Sequence, residues 1–115
     1  MKNLALDHVA VVSHDLDADA EFYSRLGFRV ETRYADWAML KDGEGRGLAL
    51  LAPGGKHPPH LAMRAPSRAL LEELARERNS RVMEHRDGSL SIYLKDPSGN
   101  PFEVVYYPDQ EEREE

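Results

Sequence analysis

Two histidines and one glutamate stand where side chains of their type could share a metal ion: His8, His60 and Glu103. Two imidazoles and a carboxylate on one side of a metal form the facial arrangement of non-heme iron(II) oxygenases, which leaves positions open for substrate and dioxygen. His8 opens the apolar run His8-Val9-Ala10-Val11, and His60 opens a matching one, His60-Leu61-Ala62-Met63. Glu103 interrupts Phe102-Glu103-Val104-Val105-Tyr106-Tyr107. A carboxylate in such a run needs a partner, because burying its charge unpaired is costly. Two partners are open at this point: a metal shared with the histidines, or an ion pair with Arg81 or Arg86. A lone histidine in a strand is ordinarily a packing or surface residue; His8 and His60 are set apart by recurring at matched positions.

The elements that must carry these residues come in two similar sets. Residues 4–12 are rich in β-branched and apolar side chains, and their alternation puts His8, Ala10 and Val12 on one face of a strand. Asp15 or Asp17 caps a helix reaching to about Leu26, with Leu16, Ala20, Tyr23 and Leu26 at helical spacing. Gly27 follows where a left-handed helix stop is expected. Three strands come next, over residues 28–34, 37–41 and 48–52, separated by turns containing Asp42-Gly43 and Gly45-Arg46-Gly47. The stretch Pro53-Gly54-Gly55-Lys56-His57-Pro58-Pro59 reads as a linker. After it the order begins again: a strand over 60–65, a helix capped by Ser67 with Leu70, Leu71, Leu74 and Ala75 on one face, and strands over 82–86, 90–95 and 102–107. Arg29-Val30 matches Arg81-Val82, and Leu40-Lys41-Asp42 matches Leu94-Lys95-Asp96. A period of about fifty residues with strand, helix and three strands in each copy predicts two βαβββ units. Each alone would leave one sheet face exposed, so two must cooperate to bury a core.

A chain of 115 residues, 41% hydrophobic and 31% charged, is long enough for one globular domain and too short for two independent ones. The domain is expected over 1–108, with modules at 4–53 and 59–108. The acidic run 109–115 has nothing to bury and is expected to be a disordered tail. With a net charge of −6, binding to nucleic acid or to anionic lipid is not expected. The chain has no cysteine, which excludes thiolate nucleophiles, disulfides and cysteine-ligated metal centres. The beginning of the chain lacks a secretory pattern, and no segment approaches the roughly 18 apolar residues of a membrane span, so a cytoplasmic location is expected. His14 and His57 are expected to be exposed; Trp37 and Tyr34 are expected to belong to an aromatic core, with a wall of the cavity as the alternative.

Three stretches make the sequence recognisable: Leu6-Asp7-His8-Val9-Ala10-Val11, Phe22-Tyr23-Ser24-Arg25-Leu26-Gly27-Phe28, and Asp96-Pro97-Ser98-Gly99-Asn100-Pro101-Phe102-Glu103. With the two-unit pattern, they resemble the vicinal oxygen chelate superfamily, which includes glyoxalase I, extradiol dioxygenases, methylmalonyl-CoA epimerase, fosfomycin-modifying enzymes and bleomycin-binding proteins. The resemblance runs from Leu4 to Tyr107. It implies an α+β fold of two tandem βαβββ modules forming a curved mixed sheet or open barrel around a metal cavity. It also puts His8 and His60 on the first-strand ligand positions and Glu103 on the last-strand one. Glyoxalase I and the epimerase take a fourth ligand from the last strand of the first module; here that stretch is Gly47-Leu48-Ala49-Leu50-Leu51, which offers none. His85, Ile92-Tyr93, Asp96-Pro97, Gly99 and Glu103 follow the signature segment of the extradiol enzymes, with Met83 departing from it. By that likeness His85 and Tyr93 inherit roles beside the substrate.

The expected function is accordingly that of a metal-dependent enzyme of extradiol dioxygenase type. Fe(II) is the expected metal, with Mn(II), Ni(II) or Zn(II) as alternatives. The partners expected are a small-molecule substrate and, on family grounds, a second copy of the chain. A glyoxalase- or lyase-type isomerase and a metal-free binding protein of the bleomycin-resistance kind are the competing readings. For His85 an exposed position beside the Arg86-Asp87-Gly88 turn, and for Tyr93 ordinary packing, are the plain alternatives.

Overall fold

A computed structural model describes residues 3–55 and 57–108. Among them are eight strands and two helices, in the order β1 (Ala5–Val12), α1 (Leu16–Ser24), β2 (Arg29–Arg33), β3 (Trp37–Lys41), β4 (Gly47–Leu51), β5 (His60–Arg64), α2 (Arg68–Glu77), β6 (Met83–Glu84), β7 (Leu90–Lys95) and β8 (Pro101–Tyr106). This is βαβββ written twice. The expected acidic tail and Lys56 of the linker fall outside the described residues. The chain divides into two compact units, one of residues His8–Leu61 and one of the residues up to Asp7 together with those from Ala62 onward. The divisions fall inside β1 and β5, within the first strand of each module.

In the His8–Leu61 unit, β1 pairs parallel to β4, with His8 opposite Gly47 and Ala10 opposite Ala49. β3 pairs antiparallel with both β4 and β2. Alternation along these strands sorts side chains onto two faces. Val11, Ala38, Leu40, Leu48 and Leu50 pack beneath α1, against Leu16, Ala20 and Tyr23. The other face carries Ala10, Met39 and Ala49, with Trp37 and Leu51 against them. His8, two residues before Ala10 on β1, belongs to that second face.

The other unit repeats the scheme. β7 pairs antiparallel with β6 and with β8, placing Tyr93 opposite Glu103 and Ser91 opposite Val105. Leu90, Ile92, Val104 and Tyr106 pack against Leu71, Leu74 and Ala75 of α2. Ser91, Tyr93 and Glu103 are left on the face away from the helix.

Local signals repeat as closely as the elements do. Asp15 caps α1 by accepting from the Ala18 amide at 3.0 Å, and Ser67 caps α2 through the Leu70 amide at 3.2 Å. Gly27 (φ 106°) closes α1, with the Phe28 amide reaching back to the Tyr23 carbonyl; Asn79 (φ 52°) closes α2, with the Ser80 amide on Ala75. Both are left-handed stops in which amides beyond the helix satisfy its last carbonyls. The Asp42 carboxylate accepts from the amides of Glu44 and Arg46, and that of Asp96 from Ser98 and Asn100. These bonds hold both carboxyl groups below the usual aspartate range, led by the Arg46 amide at Asp42 and by the Asn100 side chain at Asp96.

Leu71 is fully buried, whereas Phe22 of α1 is 58% exposed. Leu71→Ala should therefore cost about 2–5 kcal/mol. Urea denaturation should show that loss, with Phe22→Ala leaving the midpoint close to wild type; equal effects would contradict this assignment of the core.

Candidate functional site

His8 and His60 meet inside one unit. Both are buried, and their ring centroids lie 5.7 Å apart with the planes at 72°. His60 follows Pro58-Pro59, and its Nδ1 is 2.7 Å from the Pro58 carbonyl oxygen. A carbonyl only accepts, so Nδ1 carries the proton and donates it. In the neutral ring Nε2 is then the basic nitrogen, as in metal-bound histidines steadied by a carbonyl on their other nitrogen. His57 packs its ring edge-on to His60, with centroids 6.5 Å apart. It is half-buried, contrary to the expectation of exposure, while His14 is exposed as expected. Linker composition hid this, since nothing local to His57 signals that the chain folds back over the start of β5.

Trp37 stacks on Tyr34 with ring centroids 5.5 Å apart, and packs against the apolar patch of Ala10, Met39 and Ala49. Trp37 is only half-buried, so the pair borders the core rather than filling it. The β4 side chains offer no metal ligand. With the Asp42 and Asp96 turns as common origin, Ala49 corresponds to Glu103 and Met39 to Tyr93. The registers agree, since Met39 pairs with Ala49 as Tyr93 pairs with Glu103.

In the second unit, Glu103 is buried and surrounded by polar groups from β7 and the end of β6. The Tyr93 hydroxyl donates to Glu103 Oε2 at 3.2 Å, and His85 Nε2 lies 3.4 Å from the same oxygen. Tyr93 and His85 approach each other to 3.4 Å, with their rings perpendicular. Ser91, with no exposed surface, brings its Oγ to 2.5 Å from His85 Nε2. His85 and Tyr93 are thus gathered around Glu103, and His85 is not merely a turn residue. Val82 to Arg86 was expected to be a full strand; β6 is only the two residues Met83–Glu84, and the chain leaves it as His85 turns inward.

Burial, reinforced by the neighbouring carboxylate of Glu103, pushes the Tyr93 phenol well above its ordinary value. Tyr107 donates a 2.6 Å hydrogen bond to the buried Asp7, and burial followed by the Asp7 charge raises its phenol further still. Asp7, Ser91 and Tyr107 escaped the sequence reading. Only a polar residue on the buried face of an apolar strand could have flagged them, and that needs the register to be known.

The sequence matches the family model of the Glyoxalase/Bleomycin resistance protein/Dioxygenase superfamily over residues 5–104, and the chain belongs to this family. No curated protein matches it significantly. Among solved structures it is similar to methylmalonyl-CoA epimerase from Mycobacterium tuberculosis, at 22% identity and a TM-score of 0.72, covering 92% of this chain and 90% of that one. It is also similar to the Mn(II)-bound glyoxalase from Novosphingobium aromaticivorans, at 20% identity and a TM-score of 0.68, covering 92% of this chain and 40% of that one. Homoprotocatechuate 2,3-dioxygenase from Brevibacterium fuscum matches at 20% identity and a TM-score of 0.65, with 91% of this chain and 37% of that one covered. The chain thus has the vicinal oxygen chelate fold, and spans well under half the length of the glyoxalase and the dioxygenase.

The two raised phenols make a pH prediction. Folded, they keep their protons above the ordinary tyrosine pKa of about 10, where the unfolded chain loses them. Their contribution is intact below that pH, and stability falls as pH rises toward the folded values. Urea midpoints between pH 8 and 11 should decline more steeply for wild type than for Tyr93→Phe/Tyr107→Phe. Parallel declines would refute the assignment.

Proposed function

We propose that the protein is a metal-dependent enzyme of extradiol dioxygenase type, acting on a small substrate with two vicinal oxygens such as a catechol. His8, His60 and Glu103 are the proposed ligands of one divalent metal. Fe(II) is the first choice, and Mn(II), Ni(II) and Zn(II) are alternatives. The observation that carries the reading is the cluster of His85, Tyr93 and Glu103, three residues that the extradiol signature segment joins by spacing. The donor set suits a metal: two buried histidines with touching rings, one holding its Nδ1 proton on a carbonyl, and a buried carboxylate steadied by a phenol.

When bound, such a metal supplies the Lewis acidity that lets a catechol lose its protons near neutral pH. The chain's own residues do the rest. Pro58 fixes the tautomer of His60, so that Nε2 is its ligating atom. Tyr93 keeps its proton because its phenol is raised, and gives Glu103 a hydrogen bond that disperses the carboxylate charge. His85, beside Tyr93 and Glu103, moves the substrate proton as general base and acid.

A second reading is a glyoxalase- or epimerase-type isomerase, favoured by the match to nearly the whole length of the mycobacterial epimerase. Against it, Ala49 holds the position corresponding to Glu103 in the first module, so a fourth protein ligand is missing. A homodimer in the cytoplasm, without nucleic-acid partners, completes the proposal. Among the described residues no helix is long and apolar enough to cross a membrane.

Elemental analysis of anaerobically purified, untagged protein, followed by oxygen uptake with Fe(II) and a catechol panel, tests the proposal. About one iron or manganese per chain, with catechol-dependent uptake, is expected. Nickel or zinc without uptake would favour the isomerase; no metal, and none taken up on titration, would leave a binding protein. His60→Ala should lose the metal with the far-UV circular dichroism unchanged, and retained metal would remove His60 from the site. His85→Ala should keep the metal and lose turnover by about 10²–10⁴-fold; unchanged turnover would remove His85 from the chemistry.

A further inference from the structure

We infer that the outer face of α1 is where two copies of this chain meet, their helices antiparallel across a two-fold axis beside Phe22.

Phe22 and Leu26 are 58% and 65% exposed, the highest values among the exposed large hydrophobic residues. With the exposed Ala18 they recur every fourth residue, so the three form one stripe along the helix. Arg25 keeps helical dihedrals (φ −68°, ψ −18°), and the Leu26 amide donates to the Tyr23 carbonyl at 2.9 Å. The stripe therefore runs on through the last turn. Leu16, Ala20 and Tyr23 already pack the opposite face against the sheet, so α1 cannot roll the stripe inward without exposing them. Single exposed apolar residues are ordinary; a continuous stripe calls for a cover. The Phe22 ring rests edge-on against Tyr23, with centroids 5.1 Å apart, and is ordered before any partner arrives.

A second copy fits this surface in size and in charge. In a two-fold contact the surface must complement itself, so that when residue i meets j, j also meets i. With the axis beside Phe22, that ring meets its own counterpart, and the small Ala18 meets the bulky Leu26 on either side. Glu21 and Arg25 flank the stripe, paired at 2.6 Å within the helix. Reversing the second helix brings each Glu21 near Arg25 of the other copy, so acid meets base twice. A flank of one charge would repel itself in the same arrangement. Val30, which pairs with Leu40 on the α1 side of the sheet, is 44% exposed and widens the apolar area.

A helix of nine residues offers less than the ~800 Å² per partner of a standard interface, so the pair dissociates on dilution. In dilute protein Phe22→Ala accordingly leaves the urea midpoint near wild type. The inference gives a surface to the homodimer proposed above and rests on that part of the proposal alone.

Sedimentation velocity over a hundredfold range of concentration tests it. Wild type should pass from monomer to dimer, and Phe22→Lys should stay monomeric with its far-UV circular dichroism unchanged. Glu21→Arg or Arg25→Glu alone should weaken association by about tenfold or more, because like charges then face each other across the axis. Mixed in equal amounts, those two variants should form a heterodimer, since one helix then carries two bases and the other two acids. Wild type that stays monomeric throughout would overturn both this surface and the homodimer. A dimer left intact by Phe22→Lys and by the charge variants would overturn the surface and leave the homodimer standing. A mixture that stays monomeric would overturn the antiparallel pairing. Metal content and oxygen uptake decide the enzymatic reading separately, whichever of these is found.

Discussion

Successive side chains of a strand point to opposite faces, and the organisation of this protein follows from that constraint. In each unit one face is committed to a helix. Val11, Leu40, Leu48 and Leu50 lie under α1, while Ile92, Val104 and Tyr106 lie under α2. The intervening positions are released from that packing and can carry polar side chains. His8 falls among them in one unit, and Ser91, Tyr93 and Glu103 in the other. A shift of one residue in the β7–β8 register would turn Glu103 into the leucine-rich core under α2 and strand its charge there. The apolar face thus supplies stability and also enforces the register that holds the polar face in place.

On the polar face the governing cost is that of a buried carboxylate. Glu103 is tolerable because a phenol donates to it and an imidazole stands beside it. Burial, with the Glu103 charge behind it, raises the Tyr93 phenol and so keeps the donor that Glu103 requires. The dependence is mutual: an ionised Tyr93 would put two negative groups together out of water, so the pair is stable only as phenol and carboxylate. Asp7 and Tyr107 repeat the motif at 2.6 Å within the same unit, tying residues a hundred positions apart in sequence.

Much of this was legible in the sequence because the duplication doubles each local signal. The caps at Asp15 and Ser67, and the aspartate turns at Asp42 and Asp96, depend on residues within a few positions of one another. Gly27 as a helix stop did too. Asn79, its counterpart, was harder to read, since asparagine enters the left-handed region less obligatorily than glycine. The burial of Ser91 and the pairing of Asp7 with Tyr107 were not legible, because register and long-range contact decide them. His57 was misread for the same reason. The shortness of β6 follows from the inward turn of His85, a tertiary preference that β-propensity over residues 82–86 does not encode.

The duplication is also where the two modules part company. Position for position, the pair Tyr93–Glu103 of one module is Met39–Ala49 in the other, in the same cross-strand register. A phenol and a carboxylate form a self-supporting polar pair; a methionine and an alanine form an apolar one that joins Ala10 and Trp37. Exchanging one member alone would be unfavourable in either direction. Glutamate at Ala49 would bring a charge beside the apolar Met39, and methionine at Tyr93 would take the phenol donor from Glu103. The two positions are therefore coupled in each module, and the absence of a carboxylate on β4 follows from a whole cross-strand pair having been given over to packing. The histidine-bearing first strands keep their symmetry while the last strands do not: β8 carries Glu103, and β4 carries Ala49 at the matching position.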